Sequence, residues 1–349
     1  MNFGPVPLSA AEGKLLGHNI AGPDGQRRLR KGRPLTAADV AVLRELGRQT
    51  VYVAELAPDD VDENQAARRI LRALAGPGLR LPGAASGRAN ALAAVLGVLR
   101  VDGPRLQRLN ELEGVTLATL AANAPVRPPQ MVATVKIIPF ALPEATVAAV
   151  EALAAGEPVL RVDPLPARSV SLIFSGSPSL REKLIHDFAP LLERLEALGA
   201  QVVSLDFVAL DDEAGEQALA RALLARRAAG TDLVVLAGET AIMDRHDIVP
   251  RAVARAGGHL EALGAPVDPG NLLMLAYLDD LPIIGVPGCA RSRKANIVDW
   301  VLPRLLAGDT LTRADITGLG LGGLLEEIPE RPMPRQKDDE GPSNPTKDE

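Results

Sequence analysis

Three basic side chains and the chain's only cysteine crowd into "IIGVPGCARSRKAN", Ile283–Asn296. An apolar run stops at Val-Pro-Gly, and Cys289, Arg291, Arg293 and Lys294 follow. Arginine in such a place can grip a phosphate through two parallel N–H donors, while lysine adds a point charge. Two other stretches carry complementary chemistry. "SGSPS" offers Ser175, Gly176 and Ser177, small residues whose backbone N–H groups can come close to an anion. "AGETAIMDRHD" carries Asp244 and Asp247, a carboxylate pair able to share Mg²⁺ with phosphate oxygens. The combination predicts a site for a phosphorylated or pyrophosphorylated small molecule. If the site turns over, Asp244 and Asp247 are its catalytic and metal-ligating candidates.

Each stretch also has a plainer reading. Small polar residues after a strand serve as turns and caps, and Asp247 stands where it would cap the helix "IVPRAVARAG". Cys289 reads as a small apolar residue, since no spacing brings a histidine to it. The four histidines, at 18, 186, 246 and 259, lack metal-ligand spacing. There is no GxxxxGK[ST] loop, and "GLGLGG" at 318–323, with no helix after it, reads as a linker.

The elements that would position these residues alternate regularly from Ser169. "SVSLIFSG", "QVVSLDFVAL", "TDLVVLAG", "LLMLAYL" and "LPIIGVPG" read as strands. Between and after them, "SLREKLIHDFAPLLERLEALGA", "DEAGEQALARALLARRAAG", "DIVPRAVARAG" and "KANIVDWVLPRLLAG" read as helices, with Pro190 and Pro303 set to bend or break two of them. Short connections between strand and helix predict a doubly wound α/β domain with a largely parallel sheet. Its ligands would bind at the carboxyl ends of the strands, where all three loops would emerge. Residues 1–165 read as a mixed α+β region. Thr36 is the expected N-cap of a helix with Asp39 at its third position. The expected divisions are 1–165, 166–310, a C-terminal extension at 311–328, and a Pro- and charge-rich disordered tail at 329–349.

Composition narrows the partners. The 349 residues carry a net charge of −6, so nucleic acid is not an expected partner, and any anion site must be local. A single cysteine excludes an internal disulfide and suits a reducing compartment. No apolar run reaches the roughly 20 residues that span a bilayer, and the N-terminus lacks a secretory pattern. A cytoplasmic protein is expected.

"LIFSGSPSLREKLIHD", "LVVLAGETAIMDRHDIV", "APVDPGNLLML" and "PIIGVPGCARS" occur here in an order that resembles the molybdopterin-binding domain family of molybdenum cofactor biosynthesis. "FGPVPL", "RRLRKG" followed by "LTAADV", and "MVATVKIIPFA" extend the resemblance towards the module found alone or fused to a molybdenum cofactor cytidylyltransferase. The resemblance implies the molybdopterin-binding fold and a ligand that is molybdopterin or its nucleotide- or molybdenum-bearing form. Asp247 matches the motif aspartate, and Asp187 the acid in the helix after strand one. Gly238, Glu239 and Thr240 fall on the acidic loop, and Pro269, Gly270 and Asn271 on the Pro-Gly stretch. Pro287, Gly288 and Ser292 match the family's last loop, which here also carries Cys289, Arg291 and Lys294; residues of all three stretches are expected to bind the ligand. The chain departs from the family where "AGETAIMD" lacks the second glycine and the motif serine. Cys289 and Ala290 replace Asn-Pro, and Asp268 and Asn271 stand in place of lysines. Binding without turnover is the leading expectation. The alternatives are a Mg-dependent molybdopterin nucleotidyltransferase or molybdotransferase, and a regulatory or assembly module with a vestigial site. The implied protein partners are a separate nucleotidyltransferase, a molybdoenzyme, or further copies of the chain.

Overall fold

The computed structural model describes residues 1–210 and 212–325; the expected tail at 329–349 and the last residues of the extension lie outside them. The chain divides into two compact units, Met1–Pro166 and Ala167–Glu349. Among the described residues, no helix is long and apolar enough to cross a membrane.

The first unit is built from antiparallel sheets and short helices. Strand Thr50–Glu55 lies between Asn2–Pro7 and Leu15–Leu16. Helix Ala37–Glu45 opens with the capping pair expected from its sequence: the Asp39 N–H donates to Thr36 Oγ1 at 3.2 Å, and the Thr36 N–H donates to the Asp39 carboxylate at 2.9 Å. Helix Glu63–Leu74 buries Ala66, Ala67, Ile70, Leu71 and Leu74, an apolar stripe at helical spacing. That stripe joins a core with Ala89 and Ala91 of strand Arg88–Ala93 and Val135 of strand Met131–Ile137.

The second unit contains one six-stranded mixed sheet with helices. Its strands are β1 (Ser169–Gly176), β2 (Gln201–Ala209), β3 (Leu233–Gly238), β4 (His259–Leu263), β5 (Met274–Leu278) and β6 (Leu281–Gly285). They lie in the order β2-β1-β3-β6-β5-β4. Neighbours from β2 to β6 are parallel, whereas β5 pairs antiparallel with both β6 and β4, so β5 alone runs against the rest. The reversal follows from the two-residue connection Asp279–Asp280, with Asp279 at φ 52°, since only an antiparallel pair can be joined so tightly.

β1 and β3 are nearly continuous apolar runs because both of their faces are covered. Ile173, Val234 and Leu236 pack with Leu219 and Leu223 of α3 (Asp212–Ala228) and Val249, Ala252 and Val253 of α4 (Ile248–Arg255). The helix expected after β1 is two, α1 (Arg181–Asp187) and α2 (Ala189–Ala197), broken at Phe188. Pro190 accounts for the break: it has no N–H to continue the first helix, and that lack is harmless in the first turn of the second. α5 (Val298–Ala307) runs on through Pro303 and ends at Gly308, at φ 98°. α6 (Arg313–Thr317) follows.

Register fixes where the loops emerge. Ser175 pairs with Gly238, Gly176 with Ala209, Leu236 with Gly285, and Met274 with both Gly285 and Leu263. The segments after β1, β3, β4 and β6 therefore leave the sheet at one edge. The stretch 264–273 joins the three loops expected there.

Candidate functional site

From β1 the chain passes to β2 on one side, then returns to β3 on the other. A crevice must open between the carboxyl ends of β1 and β3, because the connections leave them in opposite directions. A cavity of ≈ 310 Å³ lies there. Ser175, Gly176, Ser177, Gly238, Glu239, Thr240 and Asp247 line it, with apolar walls from Leu210, Leu236, Ile242, Ile248, Val249 and Val286.

The Ser177 N–H, expected to face a phosphate, donates to Glu239 Oε2 at 2.7 Å. That N–H, and the Ser177 hydroxyl after it, hold the Glu239 carboxyl below its ordinary range. Gly176 makes room for the contact: a Cβ there would stand 2.7 Å from Glu239 Cβ and 2.8 Å from Oε2. The Glu239 N–H in turn donates to the Ser175 carbonyl at 2.8 Å.

Asp247 precedes α4 without capping it. Its Oδ2 instead accepts the N–H groups of Met243 at 2.6 Å and Asp244 at 2.9 Å, closing the loop on itself. Asp244 Oδ1 accepts the His246 N–H at 2.8 Å. Among the described residues, no three His, Cys, Asp or Glu side chains converge to hold a metal. One oxygen of each aspartate is thus taken by backbone donors, and of the two only Asp247 lines the cavity.

The basic residues of the last loop are not among those lining the cavity. Arg291 Nη2 donates to the Gly238 carbonyl at 2.8 Å, and its guanidinium lies 4.8 Å from the centre of the buried Phe188 ring. It thereby ties the end of β3 to the loop after β6 and the break between α1 and α2. Arg293 pairs with Glu193 on α2. Ser292 Oγ accepts the Lys294 N–H at 3.1 Å, and Cys289 is half-buried in the short turn Gly288–Arg291 that follows Pro287. Asp187 is the last residue of α1 and lies outside the cavity lining.

Asn296, which sequence reasoning passed over, organises this loop. It is 1% exposed; its Nδ2 donates to the carbonyls of Lys294 at 3.1 Å and Cys289 at 3.4 Å, and its Oδ1 accepts the Val298 N–H at 3.0 Å. An asparagine just before a helix was the available signal. Arg194 also reaches the Lys294 carbonyl, at 2.9 Å.

The stretch 264–273 docks on the same junction. The Pro269 carbonyl accepts the Ile297 N–H at 3.2 Å, the Asn271 carbonyl accepts the Ala265 N–H at 2.9 Å, and a Cβ on Gly270 would come within 2.5 Å of Ile297. The glycine-rich segment read as a linker is a strap. The Asp268 N–H donates to the Gly323 carbonyl at 2.8 Å and the Leu325 N–H to the Asp268 carbonyl at 2.9 Å. Gly320 and Gly323 lie so close to Pro266 that a side chain at either would press on it.

A family model described as a domain of unknown function (DUF8806) matches residues 5–55. No curated protein matches the chain. Similar solved structures include a molybdenum cofactor biosynthesis protein from Pyrococcus furiosus, at 13% identity and TM-score 0.23, covering 91% of this chain. The chain spans 65% of that protein's length. The molybdopterin biosynthesis MoeA protein from Pyrococcus horikosii is similar at 12% identity and TM-score 0.28, over 87% of this chain and 75% of its own. The molybdopterin biosynthesis Mog protein from Mycobacterium ulcerans is similar at 17% identity and TM-score 0.26, over 40% of this chain and 92% of its own. All three are named as proteins of molybdenum cofactor or molybdopterin biosynthesis.

Proposed function

We propose that this chain binds a phosphorylated small molecule in the crevice between β1 and β3. In this reading the second unit is a doubly wound molybdopterin-binding domain, and the ligand is molybdopterin or its nucleotide- or molybdenum-bearing form during cofactor biosynthesis. The observation that carries the reading is positional. A cavity opens where strand order reverses, lined by the stretches after β1 and β3 and by Val286 after β6, and the stretch after β4 leaves the sheet at the same edge. Backbone N–H groups and small residues suit a phosphate on one side, and the apolar wall from Leu236 to Val286 suits a flat ring on the other. The chain's own residues bind and orient; no step of chemistry follows from their geometry.

The test is thermal stabilisation by molybdopterin, comparing wild type with Asp247→Ala. A ligand at a hundredfold excess over Kd adds about 2.7 kcal/mol to the folded state. The melting temperature of wild type should rise by several degrees, and the rise should be lost in Asp247→Ala, whose loop can no longer fix the Met243 and Asp244 amides. A folded wild type that gives no shift would refute the reading. Pyrophosphate release from ATP or CTP in the presence of molybdopterin would separate a nucleotidyltransferase from a binding protein.

A further inference from the structure

We propose that Glu239 sets the anion specificity of this crevice: its carboxylate occupies the phosphate seat on the Ser177 amide and must swing out before a ligand phosphate can enter. The inference rests on the reading of the crevice as a phosphate site.

The seat is built from three parts. The Ser177 N–H points at Glu239 Oε2 from 2.7 Å. Gly176 leaves the space that the Glu239 side chain fills, since a Cβ there would stand under 3 Å from both Cβ and Oε2. The main chain of the strand end is fixed from both sides, by the Glu239 N–H on the Ser175 carbonyl and by Arg291 on the Gly238 carbonyl. With that backbone held, only the exposed side chain is free to move.

Two anions cannot share one amide donor. An entering phosphate therefore displaces the carboxylate and then lies beside it, where like charges a few ångströms apart repel. Small monoanions gain too few contacts to overcome this. A ligand carrying a polyvalent phosphate on an apolar ring can offset the displacement through the remaining walls of the cavity. Glu239 thus selects for large phosphorylated ligands and against free inorganic anions.

The experiment is calorimetric titration with inorganic pyrophosphate at fixed ionic strength, on wild type, Glu239→Gln and Glu196→Gln. Glu196→Gln removes an exposed charge from α2 and controls for net charge. Glu239→Gln should bind pyrophosphate about tenfold more tightly than wild type, the scale of one like-charge contact near a surface. Glu196→Gln should stay within about twofold. Should Glu239→Gln melt lower than wild type, Glu239→Ala replaces it with the same expectation. Equal or weaker binding by the Glu239 variants, with wild type binding, would overturn this inference and leave the phosphate reading standing. No pyrophosphate binding by any of the folded proteins would overturn this inference, and the melting test with molybdopterin would then decide the reading of the crevice by itself.

Discussion

Asn296→Ala is the sharpest test of how the last loop is held. The asparagine is buried, and its Oδ1 is the acceptor for the N–H of Val298, itself 0% exposed. Truncation leaves that N–H without its partner, at a cost of about 1–3 kcal/mol. The donor to the Lys294 carbonyl is lost as well, but Arg194 still reaches that carbonyl at 2.9 Å, and the 3.4 Å contact to Cys289 is too long to add much. The net expectation is a loss of about 2 kcal/mol. The chain supplies its own reporter, because its one tryptophan, Trp300, sits in the first turn of α5, two residues beyond Val298. Urea unfolding followed by Trp300 fluorescence reads the second unit and should show the midpoint falling with the slope unchanged. Asn296→Asp keeps the acceptor for Val298 but turns a carboxylate towards two carbonyl oxygens, and should be no more stable than the alanine variant. A shift below about 0.5 kcal/mol for Asn296→Ala would refute the assignment of Asn296 as the organiser of the loop.

Arg291→Ala should destabilise the second unit by about 1–2 kcal/mol through loss of the Gly238 contact and of the guanidinium on Phe188. Arg291→Lys should restore less than half of it, because an ammonium cannot stack and bond at once. Acid sensitivity should centre on Asp315. Burial opposes its charge, but the Thr312 hydroxyl at 2.7 Å, the Thr312 N–H at 2.9 Å and Arg304 at 2.9 Å outweigh burial and bring it from 3.8 to about 2. A carboxyl lowered in the folded state contributes stability above its unfolded value, lost as pH falls through the folded value. Screening at this partly exposed site leaves about 1 kcal/mol. The stability gap between wild type and Asp315→Asn should therefore hold at pH 7 and close between about pH 4 and 2; a gap that does not change with pH would refute it.

Much of the second unit was legible because its strands are short, apolar and bounded. β1 coincides with "SVSLIFSG", and Pro190 announced the break between α1 and α2. β4 escaped notice because "HLEAL" is only five residues, set between glycines, with neither a clear alternation nor a β-branched side chain. The reversal of β5 was written in the two residues between Leu278 and Leu281, too few for a crossover. The contacts that shape the site were harder to read. Ser177 meets Glu239 across 62 positions, and Asn296 satisfies carbonyls that converge only once the loop has turned. In both, a side chain answers a backbone group, and backbone groups leave no trace in residue type. The sheets of the first unit pair too irregularly for periodicity to give their order.

The hairpin of β5 and β6 also bears on how the sheet comes together. Leu278 and Leu281 are neighbours along the chain, so their pairing closes almost no loop and belongs to the microsecond events of a folding chain. Val234 pairs with Ile283 across the whole of α4, β4 and β5, a closure of roughly fifty residues that costs more loop entropy. β6 is thus the seam between a fast, local half of the sheet and a slow, distant one. The crevice lies beside β1 and β3, in the half of the sheet assembled from distant pairings.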